Sequence, residues 1–208
     1  MAGNCIRSVG KYVYDNGIVN DTRISVETGS GVKELELYTR DGKVTLVSVQ
    51  MGKAEFAAKA LPALCEQEEM VEYPLEVNGT TYPVTCLSVG NPHCVVFCEH
   101  VDGVDTEAIG PLFEHAPIFP ERINTEFIRV VHKNMIKMRV WERGNGETLA
   151  CGTGACAAVA AAVKNGYCTA GEDVVVKLRG GDLTVNCSED GIILTGETKL
   201  VFEGTVYY

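Results

Sequence analysis

The chain repeats itself. Displaced by 149 positions, its first fifty residues fall on its last sixty without a gap. Gly3 meets Gly152, Asn16-Gly17 meets Asn165-Gly166, Val26 meets Val175, Gly31 meets Gly180, and Asp41-Gly42 meets Asp190-Gly191. These coincidences sit at punctuation marks of the backbone. Residues 3–16 and 152–165 read as helices, each stopped by Asn-Gly, a common helix-ending pair. Alternation follows in both copies: Ile24 and Val26, Leu35 and Leu37, Val44 and Leu46, against Val174 to Leu178, Leu183 to Val185 and Ile192 to Leu194. Asp41-Gly42 and Asp190-Gly191 read as hairpin turns.

The second copy is preceded by further structured sequence that the first copy lacks. It holds a strand pair near 71–89, a strand from Val95 to Phe97, a helix near 105–115, and strands Glu126 to Val131 and Met135 to Trp141. The symmetry divides the chain into 1–50, the remainder of a first half, and 51–208, a second half. On this reading roughly 70–80 residues belong ahead of Met1, and the apolar side of the first helix (Ile6, Val9, Val13) is expected to lie open.

Composition narrows the function. The 208 residues carry 18 Lys+Arg against 28 Asp+Glu, a net charge of −10, which argues against nucleic acid or an anionic membrane as partner. No apolar stretch is long enough to span a bilayer, and no basic, apolar leader opens the sequence. A cytoplasmic setting is expected, in which nine cysteines are reduced packers, ligands or catalysts before they are disulfides.

Two segments hold chemistry. From Glu142 to Gly154 a strand end passes through a glycine-rich loop into an alanine-rich helix, with Cys151 at the helix N-terminus. Free amides and the helix dipole favour an anion there, so a lowered thiol pKa and a reactive thiolate are expected, against the alternative of a buried structural cysteine beside a tight turn. Gly152, Thr153 and Gly154 offer amides to a carboxylate. Arg143 suits bidentate carboxylate recognition, although a surface ion pair with its neighbours is the plainer reading. The second segment runs from Asn91 to His100 and places two Cys and two His within eight residues. Zinc is disfavoured, since His93 and Cys94 point to opposite faces of a strand. Asn91 and His93 are expected to face a cleft, and Cys94 and Cys98 to fill core space. Dinucleotide, P-loop and nucleophile-elbow motifs are absent from the sequence.

At these residues the sequence resembles the diaminopimelate epimerase family. The resemblance spans essentially the whole chain. It rests on Gly-Asn-Pro-His at 90–93, Pro-Glu-Arg-Ile-Asn at 120–124, Trp-Glu-Arg-Gly-x-Gly-Glu-Thr at 141–148, Ala-Cys-Gly-Thr-Gly-Ala-Cys-Ala at 150–157 and Gly-Gly-Asp-Leu at 180–183. It implies an α/β (α+β) fold of two pseudo-symmetric halves, each a central helix embraced by a curved mixed or antiparallel sheet, here with the first half incomplete. It also implies a homodimer and a cofactor-independent, metal-free epimerase that interconverts LL- and meso-diaminopimelate by thiol/thiolate proton transfer. Cys151 matches one of the two catalytic thiols, with His93 and Glu142 flanking it. Gly3, Asn4, Asn91, Asn124, Glu142, Arg143, Gly152 and Thr153 match substrate-holding positions.

Two departures stand out. The family's N-terminal substrate loop is missing, and the first thiol motif reads Ala2-Gly3-Asn4-Cys5. The 149 offset places Ala2 on Cys151 and Cys5 on Gly154. Cys5 is therefore a candidate replacement for the second thiol, against the alternative that it simply packs into the core. The rival functions are another two-cysteine racemase, such as a proline racemase, and an amino-acid-binding remnant without catalysis.

Overall fold

The computed structural model describes residues 3–207; Met1, Tyr208 and Ala2, the residue aligned with Cys151, lie outside the described residues. Helix α1 (Gly3–Asp15) leads into antiparallel strands β1 (Arg23–Thr28), β2 (Gly31–Arg40) and β3 (Lys43–Gly52). A connection with a 3-10 turn at Ala58–Ala60 reaches the hairpin β4 (Tyr73–Val77) and β5 (Thr80–Ser88), then β6 (Pro92–Phe97). A second 3-10 turn and α2 (Thr106–Glu114) precede β7 (Asn124–His132), β8 (Met135–Glu142) and the short β9 (Gly146–Thr148). Helix α3 (Gly152–Lys164) and strands β10 (Asp173–Leu178), β11 (Gly181–Ser188) and β12 (Gly191–Glu197) follow. No helix among the described residues is long and apolar enough to cross a membrane.

The repeat is real in three dimensions. Helices α1 and α3 are both 13 residues long and start at the aligned glycines Gly3 and Gly152. The Asp41-Gly42 turn has both residues at positive φ, 53° and 74°, the two-residue geometry that matches strand twist. The strands form one sheet, ordered β1-β2-β3-β12-β11-β10-β8-β7-β6-β5-β4, with β9 beside β8. The halves are thus joined through β3 and β12, each the last strand of its copy. Their antiparallel register pairs Val47 with Gly196, its own repeat counterpart, while Leu46 pairs with Glu197 and Ser48 with Thr195. A pseudo-two-fold axis therefore passes between Val47 and Gly196. Strand β9 and the 3-10 turns are three residues each, too short for any periodicity to register in the sequence.

The two helices are not equally covered. From Gly152 to Ala162 every residue of α3 is buried, because small side chains let strands approach on all sides. In α1, Ile6 and Gly10 are buried; a Cβ on Gly10 would sit 2.9 Å from Leu35 and Leu37. Val9 and Tyr12 face outward, 41% and 62% exposed. The expected open apolar side is thus confined to part of the helix, since Ile6 is covered. Helix α2 lies on the opposite face of the sheet, where Phe113 stacks edge-on against Phe127 (5.5 Å, 85°) above Cys86 and Cys94.

Candidate active site

The two helix N-termini meet. A Cβ on Gly152 would lie 3.4 Å from Gly3 Cα and 3.1 Å from Asn4 Oδ1, so glycine at this junction permits the approach. The Asn4 amide donates to the Ala150 carbonyl (3.3 Å), tying the start of α1 to the residue before Cys151. Gly3, Asn4, Gly152 and Thr153 are therefore brought together, with the positive ends of two helix dipoles on one spot.

Cys151 caps α3. Its backbone is extended (φ −121°, ψ 117°), and its sulfur accepts from the Gly154 amide (3.3 Å) and lies 3.4 Å from Thr153 Oγ1. The expectation of a lowered thiol pKa is overturned. Burial pushes the thiol up to about 12, and the Glu126 carboxylate adds to it; the Gly154 and Thr153 hydrogen bonds pull the other way and lose. Helix-terminus effects are modest beside the desolvation of a thiolate.

The sheet delivers the remaining groups. Strands β6 and β7 run parallel with His93 opposite Asn124 and Val95 opposite Glu126. Side chains two apart on a strand share a face, so His93, with Asn91 just ahead of β6, meets Asn124 and Glu126 on the next strand. The expectation that His93 faces a cleft is corrected: it has no exposure. Its Nδ1 lies 2.7 Å from Glu126 Oε1 and its Nε2 3.1 Å from Asn91 Oδ1. Asn91 Nδ2 in turn donates to Thr153 Oγ1 (3.3 Å), which leads back to Cys151. Cys94, on the other face of β6, packs beside Cys86 in the core under α2, and the Cys98 thiol donates to the Ile128 carbonyl. Among the described residues no three His, Cys, Asp or Glu side chains converge as metal ligands.

The Glu142-Arg143 turn closes the site. Asn124 donates to the Pro92 carbonyl (2.8 Å) and accepts from the Arg143 amide (3.0 Å), so one side chain fixes both strand ends. Glu142 accepts from Thr148 Oγ1 across the β8–β9 hairpin. The surface ion pair weighed for Arg143 is not formed: its guanidinium donates to the Glu121 carbonyl (3.0 Å), and no carboxylate of the described residues pairs with it. Buried Glu114 accepts from Trp141 Nε1 (2.7 Å) and the Gly144 amide (2.9 Å) and anchors the turn from behind.

Cys5 is turned elsewhere. It is exposed and lines a groove with Ile6, Val9 and the Thr28–Ser30 turn. Successive helical residues rotate by about 100°, so Cys5 faces nearly opposite to Gly3, which meets Gly152. Sequence reasoning missed Glu126, Glu114 and Thr148. Glu126 had a signal: it stands two residues beyond Asn124 on a strand and so shares its face.

A model of the diaminopimelate epimerase family matches residues 85–201. The diaminopimelate epimerase of Desulfovibrio desulfuricans is 48% identical over 215 residues, covering 100% of this chain and 74% of that protein. The chain belongs to the diaminopimelate epimerase family. That makes it an isomerase by class. The diaminopimelate epimerase of Acetivibrio thermocellus is also 48% identical, over 99% of the chain and 74% of the relative. Among solved structures, a probable proline racemase from Agrobacterium radiobacter superposes with a TM-score of 0.68 at 14% identity, over 98% of this chain and 68% of that one. A hydroxyproline epimerase from Agrobacterium vitis gives 0.64 at 16%, over 91% and 61%. At such identities these two share the fold with the chain.

Proposed function

We propose that this chain carries the proton-transfer machinery of an epimerase that interconverts LL- and meso-diaminopimelate, with Cys151 as the acid/base group. The observation that carries the reading is the convergence of two helix N-termini on Cys151. The amides of Gly152 and Thr153, with Gly3 and Asn4 across the junction, suit the α-carboxylate, whose charge grows as the α-carbon loses its proton. Arg143, its guanidinium without a carboxylate partner among the described residues, and Asn91 and Asn124 bind polar groups of the substrate, and Glu142 borders the reacting carbon. With the thiol pushed up to about 12, Cys151 enters the reaction protonated. Its S–H bond breaks as the α-carbanion's electron pair takes the proton, and the sulfur keeps the S–H pair.

Inversion needs a base on the opposite face. Ala2 has no acid/base group to move a proton and Cys5 is turned outward, which favours a second reading: amino-acid binding without inversion. The α-proton of diaminopimelate in deuterium oxide decides between them. Wash-in that is lost in Cys151→Ser supports the epimerase, and tight binding with no wash-in supports the binding protein. Nine free thiols suit a reducing cytoplasm, and no cofactor enters this mechanism. For the homodimer, the exposed apolar Leu200, Val201 and Phe202 offer contact surface, and light scattering reads the mass.

A further inference from the structure

Glu126 is buried without exposure, and its Oε2 has no hydrogen-bond partner among the described residues. A carboxylate in that position, if charged and alone, is among the least favourable groups a core can hold. It also stands next to the sulfur. A Cβ placed on Gly154 would lie 2.7 Å from Glu126 Oε1 and 3.3 Å from Cys151 Sγ, so carboxylate and thiol flank the same glycine. We propose that Glu126 is a positioning residue that acts through His93: the two share a proton in a net-neutral pair, and that neutrality is what lets the Cys151 sulfur carry negative charge during proton transfer.

The proton count follows from the hydrogen bonds. Asn91 spends its amide nitrogen on Thr153 Oγ1, so its oxygen faces His93 Nε2 and that ring nitrogen must donate. The other ring nitrogen lies 2.7 Å from Glu126 Oε1, a contact that needs a proton between the atoms. Two protons therefore belong to the pair. Whether the shared one sits on nitrogen or oxygen, imidazole and carboxyl sum to zero charge. Were His93 to hold a single proton, the pair would be an anion beside the thiol. The other ionisable groups around Cys151 are Glu142 from β8 and Cys156 from its own helix, the latter with Arg7 of α1 beyond it. None of these touches Glu126 by a hydrogen bond, so among the described residues His93 alone compensates it.

This rests on the reading that Cys151 must ionise, and the test is kept separate from turnover. Alkylation of Cys151 by iodoacetamide, followed peptide by peptide in the mass spectrometer across pH, reports its thiolate fraction directly. His93→Gln leaves Glu126 uncompensated and is expected to slow Cys151 labelling at least about tenfold, the effect of one pKa unit. His93→Gln with Glu126→Gln removes the charge and is expected to restore labelling to within about twofold of the unaltered protein. A merely structural Glu126 predicts the reverse, a double variant as slow as His93→Gln or slower, and that result overturns the proposal. The histidine ring nitrogens of the unaltered protein supply a second measurement, which needs no variant to fold. With four histidines in the chain, their nitrogen-15 spectra resolve His93, and a bare lone pair at Nε2 would equally refute the shared-proton pair. Failure of Cys151→Ser to stop α-proton exchange would instead sink the catalytic reading and leave the pair standing.

Discussion

Gly110→Ala is a substitution whose two physical effects oppose each other. Helix α2 meets β8 at this residue. A Cβ there would come within 2.6 Å of Trp141 Cε3 and Cγ and closer still to Cδ2, all in the body of a rigid ring. Removing an interior helical glycine gains about 1 kcal/mol of backbone propensity. Against it, overpacking costs about 1–3 kcal/mol. A displaced Trp141 also takes its Nε1–H from Glu114, and an unsatisfied buried group of that kind costs about 1–3 kcal/mol more. The net expectation is a loss of about 1–5 kcal/mol in urea denaturation. Trp141 is the sole tryptophan, so its fluorescence reports the displaced ring without ambiguity. Because Glu114 also holds the Gly144 amide, the Glu142-Arg143 turn should loosen, and substrate affinity should fall. A Gly110→Ala protein as stable as the parent, with an unchanged emission spectrum, would refute the argument.

Glu147 gives a pH dependence. The Arg139 guanidinium, helped by Thr106 and Arg179, holds its carboxyl at about 2. A depressed carboxylate contributes above its unfolded value near 4.3 and loses that contribution as pH falls towards 2, so Arg139→Met should flatten the acid limb of stability between those values by up to about 3 kcal/mol, read by chemical denaturation at each pH. In the substrate-free protein at pH 8, exposed Cys5 should alkylate well before Cys151, since burial opposes the Cys151 thiolate; mass spectrometry showing Cys151 first would contradict that. Cys5→Ser should leave α-proton exchange unchanged, because the thiol faces a surface groove away from the Gly3–Gly152 junction.

Much of this architecture was open to a reader of the sequence, because the repeat and its punctuation are local signals. Asn-Gly stops, hairpin dipeptides and alternating strands are decided within a few residues, and both copies of the helix begin at the glycines that the offset aligned. The join between the halves was not open in that way. Antiparallel pairing of β3 with β12 is a contact between residues some 150 positions apart, and no periodicity encodes it. At the site, Cys151 and its glycines were legible as residue types, yet the sign of the thiol's shift was not. A helix terminus is visible in sequence, and the desolvation that outweighs it is a property of packing.

Glu126 shows the same division more sharply. A single acidic residue on a strand carries no motif; its meaning comes from His93 across a parallel register and from Gly154 on a helix packed above. That arrangement needs a wall on every side, and α3 has one. Every residue from its first to Ala162 is buried, while α1 leaves Val9 and Tyr12 in solvent. A charge-neutral pair poised against a thiol depends on exclusion of water, which would screen it and supply competing protons. The α3 end can therefore hold Cys151, His93 and Glu126 in fixed relation.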